Sequence, residues 1–163
     1  MHRVIFAEIE NILNNPTLAA PILNIHLPKR AKFERYLQSV LANSLLIKYK
    51  DTEIEKEYPS NKNSHVDIYF KGTYVELKTP NTNYVVAGIK PLSKPITKNV
   101  QSVIDDINKL RSAGVDGVVA FVLFPIGASS NYLKHVARVK GVLGHKSYEE
   151  GVVGNFYVFS AKV

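Results

Sequence analysis

Two carboxylates and an amine stand close together in this sequence: Asp67, then after eight intervening residues Glu76, then Lys78. Residues 65–70 and 73–78 each alternate polar with apolar side chains, and Lys71-Gly72 separates them. That pattern predicts a hairpin with a two-residue turn. In its register Phe70 faces Thr73, Asp67 faces Glu76 and His65 faces Lys78. Side chains alternate between the faces of a strand, so Val66, Ile68, Phe70, Val75 and Leu77 line one face. His65, Asp67, Tyr69, Tyr74, Glu76 and Lys78 line the other. Like charges directly opposed across a ladder, with Cβ atoms about 4.5–5.5 Å apart, destabilise a sheet. A divalent cation between the carboxylates removes that repulsion and brings Lewis-acid chemistry with it.

The elements around this hairpin must position it. Ile5, Ile9 and Ile12 recur at helical spacing over residues 3–14, before Pro16. A connection containing Pro16, Pro21 and Pro28 leads to a second helix over residues 31–46. Its stripe is Phe33, Leu37, Val40, Leu41 and Leu45, with Glu34 at the edge. Residues 47–58 alternate well enough for a strand, and their charge suits an edge or a partly exposed one. After Lys78 comes a long loop rich in Pro, Asn and Thr, then a helix over residues 99–112 with Gly114 as a stop. The apolar run 118–124 predicts a strand buried on both faces. A basic helix over residues 131–143 carries Lys134, Arg138 and Lys140, and residues 155–162 predict a last strand. The order α, α, β, β, β, α, β, α, β gives an α/β fold with a mixed central sheet flanked by helices.

At 163 residues the chain is most economically one domain, residues 1–163, long enough to bury a good core. It has no cysteine, which excludes disulfides and thiolate metal sites and suits a reducing compartment. No apolar run approaches the roughly 20 residues of a membrane span, and Glu8 and Glu10 interrupt the N-terminus where a signal peptide needs an apolar core. The expected setting is cytoplasmic, with no membrane. The formal charge is +7 and the pI about 9.5, favouring a polyanionic partner. Up to residue 89 there are 11 basic and 9 acidic residues, and beyond it 10 and 5. The excess therefore lies mostly after the Asp/Glu/Lys segment.

Asp67, eight residues and then Glu76-Leu77-Lys78 resembles the motif of the PD-(D/E)xK phosphodiesterase superfamily, the restriction-endonuclease-like fold. An upstream helix with an acidic residue, a hairpin bearing the motif, a helix and a buried strand resemble that family's core, over about residues 31–124. Val66 stands where the motif name has proline. The resemblance implies a divalent-metal-dependent endonuclease cleaving phosphodiesters in DNA, with a restriction-endonuclease-like core and Mg²⁺ or Mn²⁺ as cofactor. It implies Asp67, Glu76 and the Leu77 carbonyl as metal ligands, with Glu34 completing the set from the first core helix. Hard oxygen donors of this kind suit Mg²⁺, which keeps several waters. Lys78 would orient or deprotonate a water and offset phosphate charge. Many members act as dimers, so a homodimer is expected.

Each of these residues also has a plainer reading. Glu76 and Lys78 can be a solvated pair on an amphipathic hairpin, and Glu34 a surface glutamate near Arg30 or Gln38. Glu55 and Glu57 are rival carboxylates on the preceding strand, and His65 is a strand-start histidine. Phosphate contacts need basic groups, for which Lys90, Lys94, Lys98, Lys134 and Arg138 are the candidates, with Gln101 beside them. Tyr84 either stacks on a base or packs. Two alternative functions stay open: a non-catalytic nucleic-acid-binding module on the same fold, and an RNA-directed nuclease. Restriction, repair, junction-resolving and exonucleolytic activities are not separated by one sequence.

Overall fold

The computed structural model describes residues 1–24, 30–50, 53–61, 64–87, 89, 95–128 and 130–163, with the side chains of 24, 30–32, 56–61, 64 and 65 left aside. Helix α1 (His2–Asn14) buries Ile5, Ile9 and Ile12, the predicted stripe. Asn15 ends it and starts the next helix. Its backbone N–H returns to the Asn11 and Ile12 carbonyls, while its Oδ1 accepts the N–H groups of Thr17 and Leu18 at 3.0 and 3.3 Å. Helix α2 (Pro16–Asn24) therefore occupies much of what reads in sequence as a connection. Pro16 sits in the first turn, where a missing N–H costs nothing, and Pro21 is tolerated inside the short helix. Pro28 lies outside the described residues.

Helix α3 (Arg30–Lys48) buries Phe33, Leu37, Leu41 and Leu45 and half-buries Val40. It runs into the segment predicted as a strand, because local contacts favour another turn. Lys48 reaches the buried Glu8 of α1 at 3.0 Å, Ser44 donates to the same carboxylate, and the Tyr49 N–H returns to Leu45. Strand β1 (Ile54–Asn61) consequently begins later than the alternation suggests.

The hairpin forms as β2 (Ser64–Phe70) and β3 (Thr73–Lys78). Lys71 and Gly72 both have positive φ, 50° and 76°, the requirement of a tight two-residue hairpin turn. The loop after Lys78 leads into α4 (Ile96–Ala113), which starts before the predicted residue 99 and stops at Gly114 with φ 64°. Strand β4 (Gly117–Leu123) is buried at every position, as the apolar run requires. A short 3₁₀ turn (Ser130–Tyr132) introduces α5 (Leu133–Leu143).

The chain closes on a second hairpin, β5 (Tyr148–Val153) and β6 (Phe156–Lys162), of which only β6 is legible as a strand in sequence. Glu149, Glu150 and Gly151 are poor strand formers, and β5 survives as an exposed edge paired with β6. The two-residue link through Gly154, φ 55°, is its turn signal.

The six strands lie in the order β1-β2-β3-β4-β6-β5, with β3 parallel to β4 and every other neighbour antiparallel. The result is an α/β protein with a mixed sheet flanked by helices. Ile68, Phe70, Val75, Leu77, Val118 and Ala120 pack on one face with α1, α2 and α3. Val119, Phe121, Leu123, Tyr157 and Phe159 pack on the other with α4 and α5. Among the described residues no helix is long and apolar enough to cross a membrane.

Candidate functional site

The predicted register is right and the predicted ladder is too long. Strands β2 and β3 pair at Phe70–Thr73, Tyr69–Tyr74 and Ile68–Val75, and there the ladder ends. Beyond it β2 stays with β1, through Val66–Tyr58 and His65–Pro59, while β3 stays with β4, through Glu76–Val119 and Lys78–Phe121. Asp67 and Glu76 are therefore not a ladder pair, nor are His65 and Lys78. Two opposed carboxylates would repel at that position, and the strands part there instead. The Asp67 carboxylate bridges the opening, its Oδ2 accepting the Leu77 N–H at 2.7 Å.

Helices from both layers enter this opening. From α3, Glu34 accepts the Thr79 N–H at 3.2 Å and lies 3.6 Å from the Lys78 ammonium. From α4, Asp106 lies 3.5 Å from that ammonium, and Asp67 lies 3.8 Å from it. Lys109, one turn further along α4, forms an ion pair with Glu76. The Glu76 side chain is only 2% exposed, while those of Asp67, Lys78, Glu34 and Asp106 are mostly covered. Four carboxylates thus share two ammonium groups.

The imbalance shows in their acidities. Burial, then the neighbouring charge of Asp67, pushes the Glu76 carboxyl up to about 7, although Lys109 pulls the other way. Burial pushes Asp106 up to about 6, against the opposing pull of Lys78. One oxygen of Asp106, Oδ2, is buried without a hydrogen-bond partner. Burial alone would lower the Lys78 pKa, but Asp67, Asp106, Glu34 and Glu76 outweigh it and raise it. Lys78 is a firm cation in this arrangement.

Of the predicted residues, Asp67 and Glu34 meet at Lys78, Leu77 joins them through its N–H rather than its carbonyl, and Glu76 beside them is turned onto Lys109. Asp106 and Lys109 are additions. Asp106 falls three residues after Val103 and four before Leu110, both buried, which puts it on the inward face of α4. That spacing is a signal the amphipathic reading passes over, because Asp at a helix surface is unremarkable in sequence.

The remaining candidates lie elsewhere. Glu55 is exposed on β1, opposite Tyr69. Gln101 faces outward on α4, donating to Asp105 at 3.1 Å and accepting from Arg138 of α5 at 3.1 Å, so it does not join the cluster. Lys98, Lys134 and Arg138 are exposed. Tyr84 packs against the α4–α5 core. Lys90 and Lys94, and the side chains of Glu57 and His65, lie outside the described residues.

Among the described residues no three His, Cys, Asp or Glu side chains form a ready-made metal cage. The carboxylates are turned onto the lysines. Their oxygens are hard donors of the type that Mg²⁺ takes. No family model, curated protein or solved structure matches the chain.

Proposed function

We propose that this chain is a divalent-metal-dependent endonuclease acting on phosphodiester bonds of DNA, built on a restriction-endonuclease-like core. The observation carrying this reading is the gathering of Glu34, Asp67 and Asp106 around Lys78, with Glu76 beside them, where β2 and β3 part. The proximity of these side chains, drawn from two strands and two helices, supports the reading. Asp67, Glu76 and Glu34 would hold Mg²⁺ or Mn²⁺, with the Leu77 carbonyl as a further donor. The metal, when bound, supplies Lewis-acid stabilisation of phosphate charge and a more acidic water.

The chain's own residues supply the rest. Lys78, kept protonated by its carboxylate neighbours, offers a fixed positive charge to a phosphate oxygen and a hydrogen bond to orient the attacking water. In this state its role is orientation and charge rather than proton abstraction. Asp67 holds the strand opening in shape through Leu77, so its loss removes both a donor and a brace. The net charge of +7, mostly beyond residue 89, favours approach of a polyanion.

The test is cleavage of supercoiled, linear, single-stranded and branched DNA with Mg²⁺ or Mn²⁺, comparing wild type with Asp67→Asn. Metal-dependent cutting that falls at least about a hundredfold in the variant is expected. The preferred substrate then names the subclass, with an RNA duplex included as competitor. Equal DNA binding by both proteins with no cutting would replace this reading by a non-catalytic binding module.

A further inference from the structure

The carboxylates around Lys78 differ in what else their oxygens do. Asp67 accepts the Leu77 N–H at 2.7 Å and Glu34 accepts the Thr79 N–H at 3.2 Å, so both also shape the backbone at the strand opening. Asp106 Oδ2 is buried and accepts no hydrogen bond among the described residues, and the Lys78 ammonium lies 3.5 Å from it. Its side chain is 14% exposed, on the inward face of α4. Burying a carboxylate on those terms is costly. Burial is accordingly the largest influence on its acidity, with Asp67 adding repulsion while Lys78 and Lys109 pull the other way. Removing the charge strands no cation, because Lys78 keeps Glu34 at 3.6 Å and Asp67 at 3.8 Å. Asp106 is thus a poor device for stability and a good one for direction. A lysine stem is flexible, and its ammonium moves toward whichever anions face it. Glu34 draws it toward α3, and Asp106 is the counterpull from α4, at nearly the same distance.

We propose that Asp106 is a positioning residue: from the α4 side it holds the Lys78 ammonium centred in the opening between β2 and β3, against the pull of Glu34 from α3. This rests on the nuclease reading above, in which Lys78 meets the phosphate, and adds what fixes Lys78 in place. Asp106 acts through the lysine and not on the substrate.

The experiment compares the full chain as wild type, Asp106→Asn and Asp106→Glu. Lysine ammonium groups are labelled with ¹⁵N and followed by NMR near neutral pH, and Lys78→Arg identifies the Lys78 signal by removing it. In wild type the Lys78 ammonium protons should exchange with water at least about tenfold more slowly than those of exposed Lys98 and Lys134. Asp106→Asn should speed that exchange about tenfold while the melting temperature holds or rises. In DNA cleavage with Mg²⁺ its kcat should fall about tenfold or more, with KM within about twofold of wild type. Asp106→Glu, which keeps the charge, should lose less. Unchanged exchange or unchanged kcat in Asp106→Asn overturns the inference. A loss of activity matched by a lower melting temperature, or failure of both variants to fold, overturns it too, because Asp106 is then a brace of the fold. Exchange at Lys78 as fast as at Lys98 and Lys134 overturns it without any variant. A wild type that cuts no DNA sinks the nuclease reading, and ammonium exchange alone then decides whether Asp106 fixes Lys78.

Discussion

Glu76 shows how a single buried acid couples the site to stability. Its carboxyl titrates at about 7 in the folded chain against 4.5 for an ordinary glutamate. Between those values the folded protein holds a proton that the unfolded chain has released. Stability must therefore fall as pH rises through that window. Asp106 acts in the same direction from 3.8 to about 6. His2 and His135, whose pKa values burial lowers, act the opposite way below 6.5. Comparing wild type with Glu76→Gln cancels the histidines. In metal-free buffer the variant should gain on wild type by about 3 kcal/mol between pH 5 and pH 8, read from urea unfolding at each pH. A pH-independent difference would mean that Glu76 ionises normally. At this scale the sequence was informative about residue type and spacing. Asp67 and Glu34 meet at Lys78 with Glu76 alongside, whereas Asp106 and Lys109 are not legible because one α4 face mixes charged with apolar side chains.

The elements explain where reading the sequence succeeds and where it stops. The hairpin was legible because strict alternation and Lys71-Gly72 agree, and a local signal of that kind survives any tertiary context. The end of its ladder was not. It depends on β2 following β1 while β3 follows β4, a competition between partners distant in sequence. Helix α2 was hidden by its prolines, and the side chain of Asn15 is what makes it start. Replacing Asn15 by Ala leaves the first N–H groups of α2 without that acceptor. It should cost about 1 kcal/mol, seen as a lower urea midpoint with an unchanged slope. A neutral result would place the start of α2 under the control of its packing on α1 and α3 alone. The end of α3 shows the complementary case, with Lys48 and Ser44 binding Glu8 and drawing the helix past its sequence signal.

At the scale of the whole molecule, the sheet lies between two helical layers, and the opening between β2 and β3 brings side chains of both together. Glu34 of α3 and Asp106 of α4 there approach the same ammonium from different layers. On the proposed nuclease reading, an acidic cluster in a chain of charge +7 needs basic groups elsewhere to hold a polyanion near it. Lys134 and Arg138 are exposed four residues apart on α5, and Arg138 is braced by Gln101 of α4. Each phosphate contact releases a condensed counterion, so the logarithm of affinity falls with the logarithm of salt concentration by about 0.9 per contact. Lys134→Ala combined with Arg138→Ala should therefore flatten that dependence by about 2 units, measured by fluorescence anisotropy on a DNA duplex in metal-free buffer. Lys134→Ala alone should flatten it by about 1. Neither change touches the core, and the melting temperature should hold. Weakened binding with an unaltered salt slope would mean that α5 does not meet phosphate, and that its charge serves only to solvate the helix. The slope separates the two outcomes where affinity alone would not, because a loss of shape lowers affinity at every salt concentration alike.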